Sequence, residues 1–196
     1  MKKLLTSLAC AAALSLTAGA QAAIVTFDSP GVIDIDNTTN VATYHEAGFR
    51  FAGDAASYLP IDGIGSSGTG GLLVFANSTL TFTAGGGLFS LLALDYGLFD
   101  PQATGMLDIH GIFGDNSQLT ETRQLGNLPG FSFQGWSNLK EVSFSANADF
   151  VLDNVSAVPE PGSMALLLAG LPVLALARRR RSLLNRDRPN GLRAGC

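Results

Sequence analysis

The chain has 196 residues, of which 46% are hydrophobic, and its 16 acidic and 12 basic residues give a net charge of −4. The basic residues are concentrated at the two ends, so residues 23–157 keep three of them against 14 acidic residues, a net charge of −11. Nucleic-acid binding depends on neutralising phosphates with Lys and Arg, so this composition excludes a nucleic-acid partner. The same residues contain no cysteine, so no disulfide can stabilise them.

The N-terminus has the pattern of a secretory signal peptide. Two lysines precede an apolar run over residues 4–18, and residues 20–22 (AQA) form an A-x-A cleavage site. We therefore expect an N-terminal signal helix over residues 1–22, cleaved after Ala22, and export of the rest of the chain. Cleavage after Ala20 is the second choice, because residues 18–20 (AGA) also fit the pattern.

Residues 23–157 have the pattern of an all-β domain. Short runs rich in Val, Ile, Thr and Phe alternate with clusters of Gly, Asn, Asp and Pro, and no long segment has an apolar period of 3.6 residues. We predict about ten strands, at residues 24–27, 44–51, 72–75, 79–83, 88–94, 105–113, 118–125, 131–133, 139–144 and 150–155. Long crossings between sheets favour a jelly-roll-like β-sandwich.

The C-terminal segment combines three features in order. The triplet Pro159-Glu160-Pro161 precedes an uncharged run over residues 164–177. Four arginines follow, Arg178, Arg179, Arg180 and Arg181. A helix over the run spans only about 21 Å of a hydrocarbon core about 30 Å thick. Because arginines are retained on the cytoplasmic side, we expect a short C-terminal transmembrane helix, preceded by a stiff, exposed Pro-Glu-Pro spacer outside the membrane.

This arrangement, over residues 158–181, resembles the PEP-CTERM sorting signal of Gram-negative bacteria. The resemblance implies that an exosortase, a membrane protease-transpeptidase, reads the three features, removes the tail and passes the protein to the cell surface or an exopolysaccharide matrix. An ordinary single-pass anchor is the alternative. Residues 182–196 continue beyond the arginines as a polar, basic stretch, which we expect to be a disordered cytoplasmic tail.

Three short motifs extend the comparison into the domain: VTFD at residues 25–28, AGFRF at 47–51 and FVLDNVS at 150–156. With them the domain resembles the jelly-roll ectodomains found before PEP-CTERM tails, which are similar to carbohydrate-binding modules and lectin-like sandwiches. Resemblance to calcium-bearing jelly rolls implies that Asp153 and Asp28 hold a structural calcium ion, with Glu46 as a third ligand. Hard oxygen ligands suit this ion. The alternative is that Asp153 is simply the polar face of an edge strand.

Trp136 is the only tryptophan, and turn residues flank it. An exposed ring here would stack on sugar rings, so Trp136 is a candidate ligand-binding residue. The alternative is a core position, which is more usual for a lone tryptophan among phenylalanines.

Catalytic patterns are weak in this sequence. His45 and His110 are the only histidines, and no G-x-S-x-G elbow exists. Asp108 can orient His110 from the same strand face, but the polar, solvent-facing side of a half-buried strand is the simpler explanation of the pair. The G-x-G-x-x-G match at residues 63–68 leads into more glycines rather than a helix, so we interpret it as a loop. We predict a non-enzymatic structural or glycan-binding module; a secreted esterase or glycosidase with the same tail is the alternative.

Overall fold

The computed structural model of the chain describes residues 21–28, 31–66 and 68–160. The predicted transmembrane helix and basic tail lie outside these ranges, and so does the predicted signal helix except for residues 21–22. Within the ranges there is no helix with the length and apolar character that crossing a membrane requires. Ala20–Glu160 form one compact unit.

The described residues contain 13 β-strands and no helix, which confirms the all-β prediction. The strands are β1 Ala23–Val25, β2 Val32–Asp36, β3 Val41–Glu46, β4 Phe49–Asp54, β5 Tyr58–Asp62, β6 Gly70–Val74, β7 Thr79–Thr83, β8 Phe89–Leu98, β9 Met106–Phe113, β10 Gln118–Gln124, β11 Gly130–Ser132, β12 Leu139–Ala146 and β13 Phe150–Pro159.

The prediction of one strand over residues 44–51 is wrong, because this segment contains a hairpin. Glu46 of β3 pairs with Phe49 of β4. The two residues between them, Ala47 and Gly48, both have positive φ, 51° and 83°. Two-residue hairpins favour such angles, which reverse the chain without interrupting the apolar alternation on either side. Strands β2 and β5 were also missed: β2 is exposed at every position, and β5 contains Pro60.

All strand pairs are antiparallel and belong to one curled sheet. The strand order is β2-β3-β4-β7-β12-β8-β13-β6-β5, with β1 also on β13, β11 on β8, and β9 between β12 and β10. A single residue pair, Leu139 with Phe89, joins β12 to β8. This junction separates a seven-strand group (β10, β9, β12, β7, β4, β3 and β2) from a second group (β11, β8, β13, β6, β5 and β1).

The core contains aromatic rings from both groups. Phe89 of β8 lies edge-on to Phe82 of β7 at 5.0 Å and to Phe49 of β4 at 6.1 Å between ring centroids. All three side chains are at most 1% exposed. Full burial of one such side chain contributes about 1.5–3 kcal/mol. Alternating positions on β4 and β7 supply these rings, so the intervening residues of the same strands face outward.

Candidate functional site

Asp153 is the only buried charged side chain among the described residues, at 1% exposed. Its Oδ2 accepts hydrogen bonds from the Ser66 backbone N–H at 2.8 Å and the Ser66 hydroxyl at 3.0 Å. Its Oδ1 accepts from the Asn154 backbone N–H at 2.7 Å. Burial raises the pKa of the Asp153 carboxyl, against the effect of these hydrogen bonds, and the negative charge of Asp28 adds to the rise.

Asp153 belongs to a polar network with Asp95, which is its cross-strand partner on β8. The Ser66 hydroxyl lies 2.7 Å from Asp95 Oδ2, and the Asn154 side-chain amide donates to the same oxygen at 2.8 Å. Asn154 has a positive φ of 47° at a bulge in β13. The loop before β6 packs so closely here that a Cβ on Gly65 would lie 2.7 Å from Asp153 Oδ2.

The other two predicted calcium ligands also accept hydrogen bonds from the chain itself. Asp28 Oδ1 accepts from the Gly70 backbone N–H at 2.7 Å. The Glu46 carboxylate accepts from the N–H groups of residues 26 and 27, at 3.2 Å each, and from the Tyr44 hydroxyl at 2.6 Å. In the part of the chain that the structure describes, no group of three or more His, Cys, Asp or Glu side chains is arranged to hold a metal ion. Calcium binding stays a prediction.

Trp136 lies in the core and is 2% exposed. Its indole N–H donates to Glu121 Oε1 at 3.1 Å, and its ring packs on Phe133 with centroids 4.9 Å apart. A stacking role needs an accessible ring, which Trp136 does not offer. Over residues 21–28, 31–66 and 68–160, Phe99 is the one aromatic side chain among the exposed large hydrophobic residues, at 45%.

The outward face of the seven-strand group is rich in hydroxyl side chains. One row of register partners crosses all seven strands, with no buried member: Thr120, His110, Ser143, Thr81, Ala52, Thr43 and Asp34. A second row contains Thr122, Asp108, Ser145 and Thr79. We call these two rows the hydroxyl face. Six strand spacings of about 4.8 Å make its longer row about 29 Å long.

The two catalytic candidates on the hydroxyl face do not bond to each other. His110 Nδ1 lies 2.8 Å from Thr120 Oγ1, and the Thr122 hydroxyl donates to Asp108 Oδ1 at 2.6 Å. Both hydrogen bonds join neighbouring strands. The Asp108 carboxylate is therefore hydrogen-bonded to Thr122 and not to His110. The hydrogen-bonded series of nucleophile, histidine and carboxylate that a serine-hydrolase mechanism needs is not formed at these residues.

Sequence reasoning did not identify the hydroxyl face, although part of its signal is present in the chain. Thr79, Thr81 and Thr83 alternate with apolar residues in β7, and Ser143 and Ser145 do so in β12. This period of two predicts an outward hydroxyl row on each strand. Which strands lie side by side depends on pairings between distant segments.

The end of β13 carries the first two residues of the Pro-Glu-Pro triplet. Pro159 pairs with Phe89 of β8, and the Glu160 backbone N–H donates to the Leu88 carbonyl at 2.8 Å. Glu160 Oε1 accepts from the Asn138 backbone N–H at 2.6 Å and the Ser90 hydroxyl at 2.9 Å. Pro159 is exposed as expected, but it is the last residue of β13, so the triplet begins within the sheet and not as a free spacer. A proline is tolerated at a strand end because it removes only one hydrogen-bond donor from the sheet. Pro161 and the four arginines lie outside the described residues.

Residues 157–181 match the PEP-CTERM protein-sorting motif. The chain carries a PEP-CTERM sorting motif. This match confirms the resemblance to the PEP-CTERM sorting signal that the triplet and the arginine run indicate. The PEP-CTERM match starts at residue 157, within β13, so the motif and the folded domain share residues 157–160. A PEP-CTERM motif indicates an exported protein that an exosortase processes.

No curated protein matches the chain significantly. Among solved structures, the chain is similar to the N-terminal endo-1,4-beta-D-xylanase 10B of Clostridium thermocellum in complex with xylohexaose, with 14% identity, a TM-score of 0.41, and coverage of 59% of this chain and 26% of that one. The present chain thus spans about a quarter of the length of the xylanase chain. A mutant family 29 carbohydrate-binding module has 8% identity and a TM-score of 0.41, over 70% of this chain and 91% of that one.

The CBM22-1 xylan-binding domain of Paenibacillus barcinonensis Xyn10C has 8% identity and a TM-score of 0.36, over 71% of this chain and 95% of that one. TM-scores below 0.5 do not establish a common fold, and no function for this chain follows from these similarities.

Proposed function

We propose that this protein is exported to the cell surface or an exopolysaccharide matrix, sorted through its PEP-CTERM tail by an exosortase, and that its ectodomain is a non-catalytic glycan-binding module. The observation that carries the proposal is the PEP-CTERM match at residues 157–181, directly continuous with the last strand of the domain. We further infer that the curled sheet is a jelly-roll-like β-sandwich. The contacts of Phe89 with Phe49 and Phe82 support two layers facing each other across an aromatic core.

The sorting part of the proposal predicts a shortened C-terminus on the mature protein. Exosortase removes the tail, so the mass of the mature form should place its last residue within the segment from Pro159 to Ser163. Intact-mass analysis of protein recovered from the outside of the native host measures this. The precursor retained in the cell is the control, because it keeps the four arginines of the tail. A mature protein that still contains these arginines would contradict exosortase sorting.

Glycan binding is assigned to the hydroxyl face. Hydroxyl groups both donate and accept hydrogen bonds, as sugar hydroxyls do, and His110 and Asp108 add a ring nitrogen and a carboxylate. Because most aromatic side chains of the described residues are buried, stacking contributes little here. Hydrogen bonds at an exposed face compete with water and are weak singly. Strong retention would therefore come from many molecules binding one polymer, as in a matrix.

The glycan proposal predicts that an obstruction in the centre of the hydroxyl face abolishes retention. Ser143 lies next to the middle of the longer row, between His110 and Thr81, so Ser143→Arg places a long side chain across it without changing the core. We expect at least about a tenfold loss of retention on immobilised exopolysaccharide of the native host. Gln102→Arg, in the exposed turn after β8, adds the same side chain elsewhere and should bind as wild type.

Each alternative gives a different result in the same assays. Equal retention of Ser143→Arg and wild type would contradict binding at this face. Failure of wild type to bind any glycan on an array would indicate a purely structural domain. Turnover of an ester or glycoside substrate would support the secreted hydrolase, which needs a catalytic group away from the occupied Asp108.

A further inference from the structure

Two separate segments of the domain, residues 88–90 and the turn at Asn138, converge on Glu160 of the sorting motif. Its backbone N–H extends the β8–β13 ladder by one step, to the Leu88 carbonyl at 2.8 Å. Its carboxylate accepts hydrogen bonds from the Ser90 hydroxyl of β8 at 2.9 Å and from the Asn138 N–H before β12 at 2.6 Å. Both the backbone N–H and the carboxylate of Glu160 are thus hydrogen-bonded to the domain.

The donor at Asn138 is itself held in place. Asn138 has a φ of 60°, and its carbonyl accepts from the Gly114 N–H at 2.7 Å. The next residue, Leu139, forms the single pair with Phe89 that joins β12 to β8. The Asn138 N–H therefore points at the carboxylate from the junction of the two strand groups. The backbone there is held by the Gly114 hydrogen bond and by the pairing of Leu139 with Phe89.

These contacts bear on how a protease reaches the motif. Hydrogen bonds to an ionised carboxylate are about twice as strong as those between neutral groups. A peptide recognised in an extended form offers its backbone and side chains to the partner's own hydrogen-bonding groups. While Glu160 is bonded to Leu88, Ser90 and Asn138, its backbone N–H and its carboxylate are not available in this way.

We propose that Ser90 and the backbone of Asn138 are positioning groups that hold Glu160 against the domain, so that the folded ectodomain competes with the exosortase for the sorting motif. This inference rests on the sorting function proposed above. Detachment of Glu160 from β8 precedes processing, and the strength of the Ser90 contact sets how often it occurs. The domain thereby restrains removal of its own anchor.

Removal of the Ser90 hydroxyl tests the proposal in the full-length precursor. Ser90→Ala should raise the hydrogen-exchange rate of the Glu160 amide by about three- to tenfold, the effect of losing one hydrogen bond to a partly exposed charged group. Pulse-chase in the native host should show faster conversion to the mature form by a similar factor. Ser90→Thr keeps the hydroxyl and should exchange and mature as wild type.

Ser57→Ala is the matched control for a general loss of stability. It removes another serine hydroxyl, which donates to the Asp54 carbonyl at 2.6 Å in the turn between β4 and β5. It should leave both the Glu160 exchange rate and the maturation rate unchanged. Equal acceleration by Ser57→Ala would overturn the proposal, since global unfolding would then explain the effect.

The two readouts separate the inference from the sorting function. Unchanged exchange at Glu160 in Ser90→Ala would overturn the holding role of Ser90. Raised exchange with unchanged or slower maturation would overturn the competition, because the contact would then not restrain processing. A wild-type precursor that is never shortened would overturn the sorting function and the competition with it, while exchange would still show whether the domain holds Glu160.

Discussion

The fold changes the ionisation of the buried residue Asp153. Burial raises the pKa of its carboxyl, although Ser66 and Asn154 donate hydrogen bonds to it. In an unfolded chain an aspartate titrates near pH 3.9. The folded state therefore binds the Asp153 proton more tightly than the unfolded state. The resulting stabilisation is present below the unfolded pKa and is lost as the pH rises through the raised folded pKa.

This shift predicts the pH dependence of one variant. The free energy of unfolding of wild type, minus that of Asp153→Asn, should fall as the pH rises from the unfolded pKa of about 3.9 through the raised pKa of the folded state. Chemical denaturation at several pH values measures it, and the difference removes the contributions of the other carboxyls. A difference that is constant with pH would contradict a raised pKa at Asp153.

Asp115→Asn is the control with the opposite sign. The hydroxyl and backbone N–H of Ser117 lower the pKa of the Asp115 carboxyl. Its contribution to stability is therefore present above the unfolded pKa and lost as the pH falls through the lowered folded pKa. The difference between wild type and Asp115→Asn should grow as the pH rises towards about 4 and should then stay constant.

At the scale of single elements, the loop between β5 and β6 takes its shape from its neighbours. The G-x-G-x-x-G pattern in this loop connects two strands, whereas a dinucleotide site requires a helix after it. A Cβ on Gly65 would lie 2.0 Å from the Gly70 carbonyl oxygen. Glycine is needed here so that the loop can pack over Asp153 and let Ser66 donate to it. The pattern has a structural role.

The last strand has two roles along its length. Its first half carries Asp153 in the core beside β8 and β6, and its end carries Pro159 and leads into Glu160. Ectodomain and sorting motif therefore share an element, so a change that loosens the end of β13 also changes how the motif is presented.

At the scale of the whole molecule, acidic charge dominates the domain, at 14 acidic against three basic residues. Such an excess favours solubility and opposes compaction through repulsion. A bound cation would reduce this repulsion, which is a physical reason for the calcium prediction. Asp28, Glu46 and Asp153 nevertheless each accept hydrogen bonds from the domain's own N–H and hydroxyl groups. The chain's own donors thus do part of what a metal ion would do.

The calcium prediction is tested by the melting temperature of the full-length protein. Calcium bound by Asp28, Glu46 and Asp153 should make this temperature higher in millimolar calcium than in excess EDTA, because an ion that binds only the folded state stabilises it. Differential scanning calorimetry measures it, with magnesium as the control for general ionic effects. A melting temperature that is the same in excess EDTA as in calcium would contradict the calcium prediction.

The β character of the domain and the presence of the sorting motif could be predicted from the sequence, because both depend on the order of neighbouring residues. A strand needs an alternation over a few residues, and the motif needs a triplet, an apolar run and arginines in succession. The hairpin at Ala47-Gly48 escaped prediction because its alternation continues through the turn, where only the sign of φ shows the reversal.

Contacts between distant segments could be identified only in the folded domain. Trp136 is a core residue because Glu121 of β10 and the nearby Phe133 contact it, and the hydroxyl face exists because seven strands pair in one register. The tie between Glu160 and Ser90 joins residues 70 positions apart. Contacts of that range depend on strand pairing across the whole fold, and no local pattern near either residue specifies them.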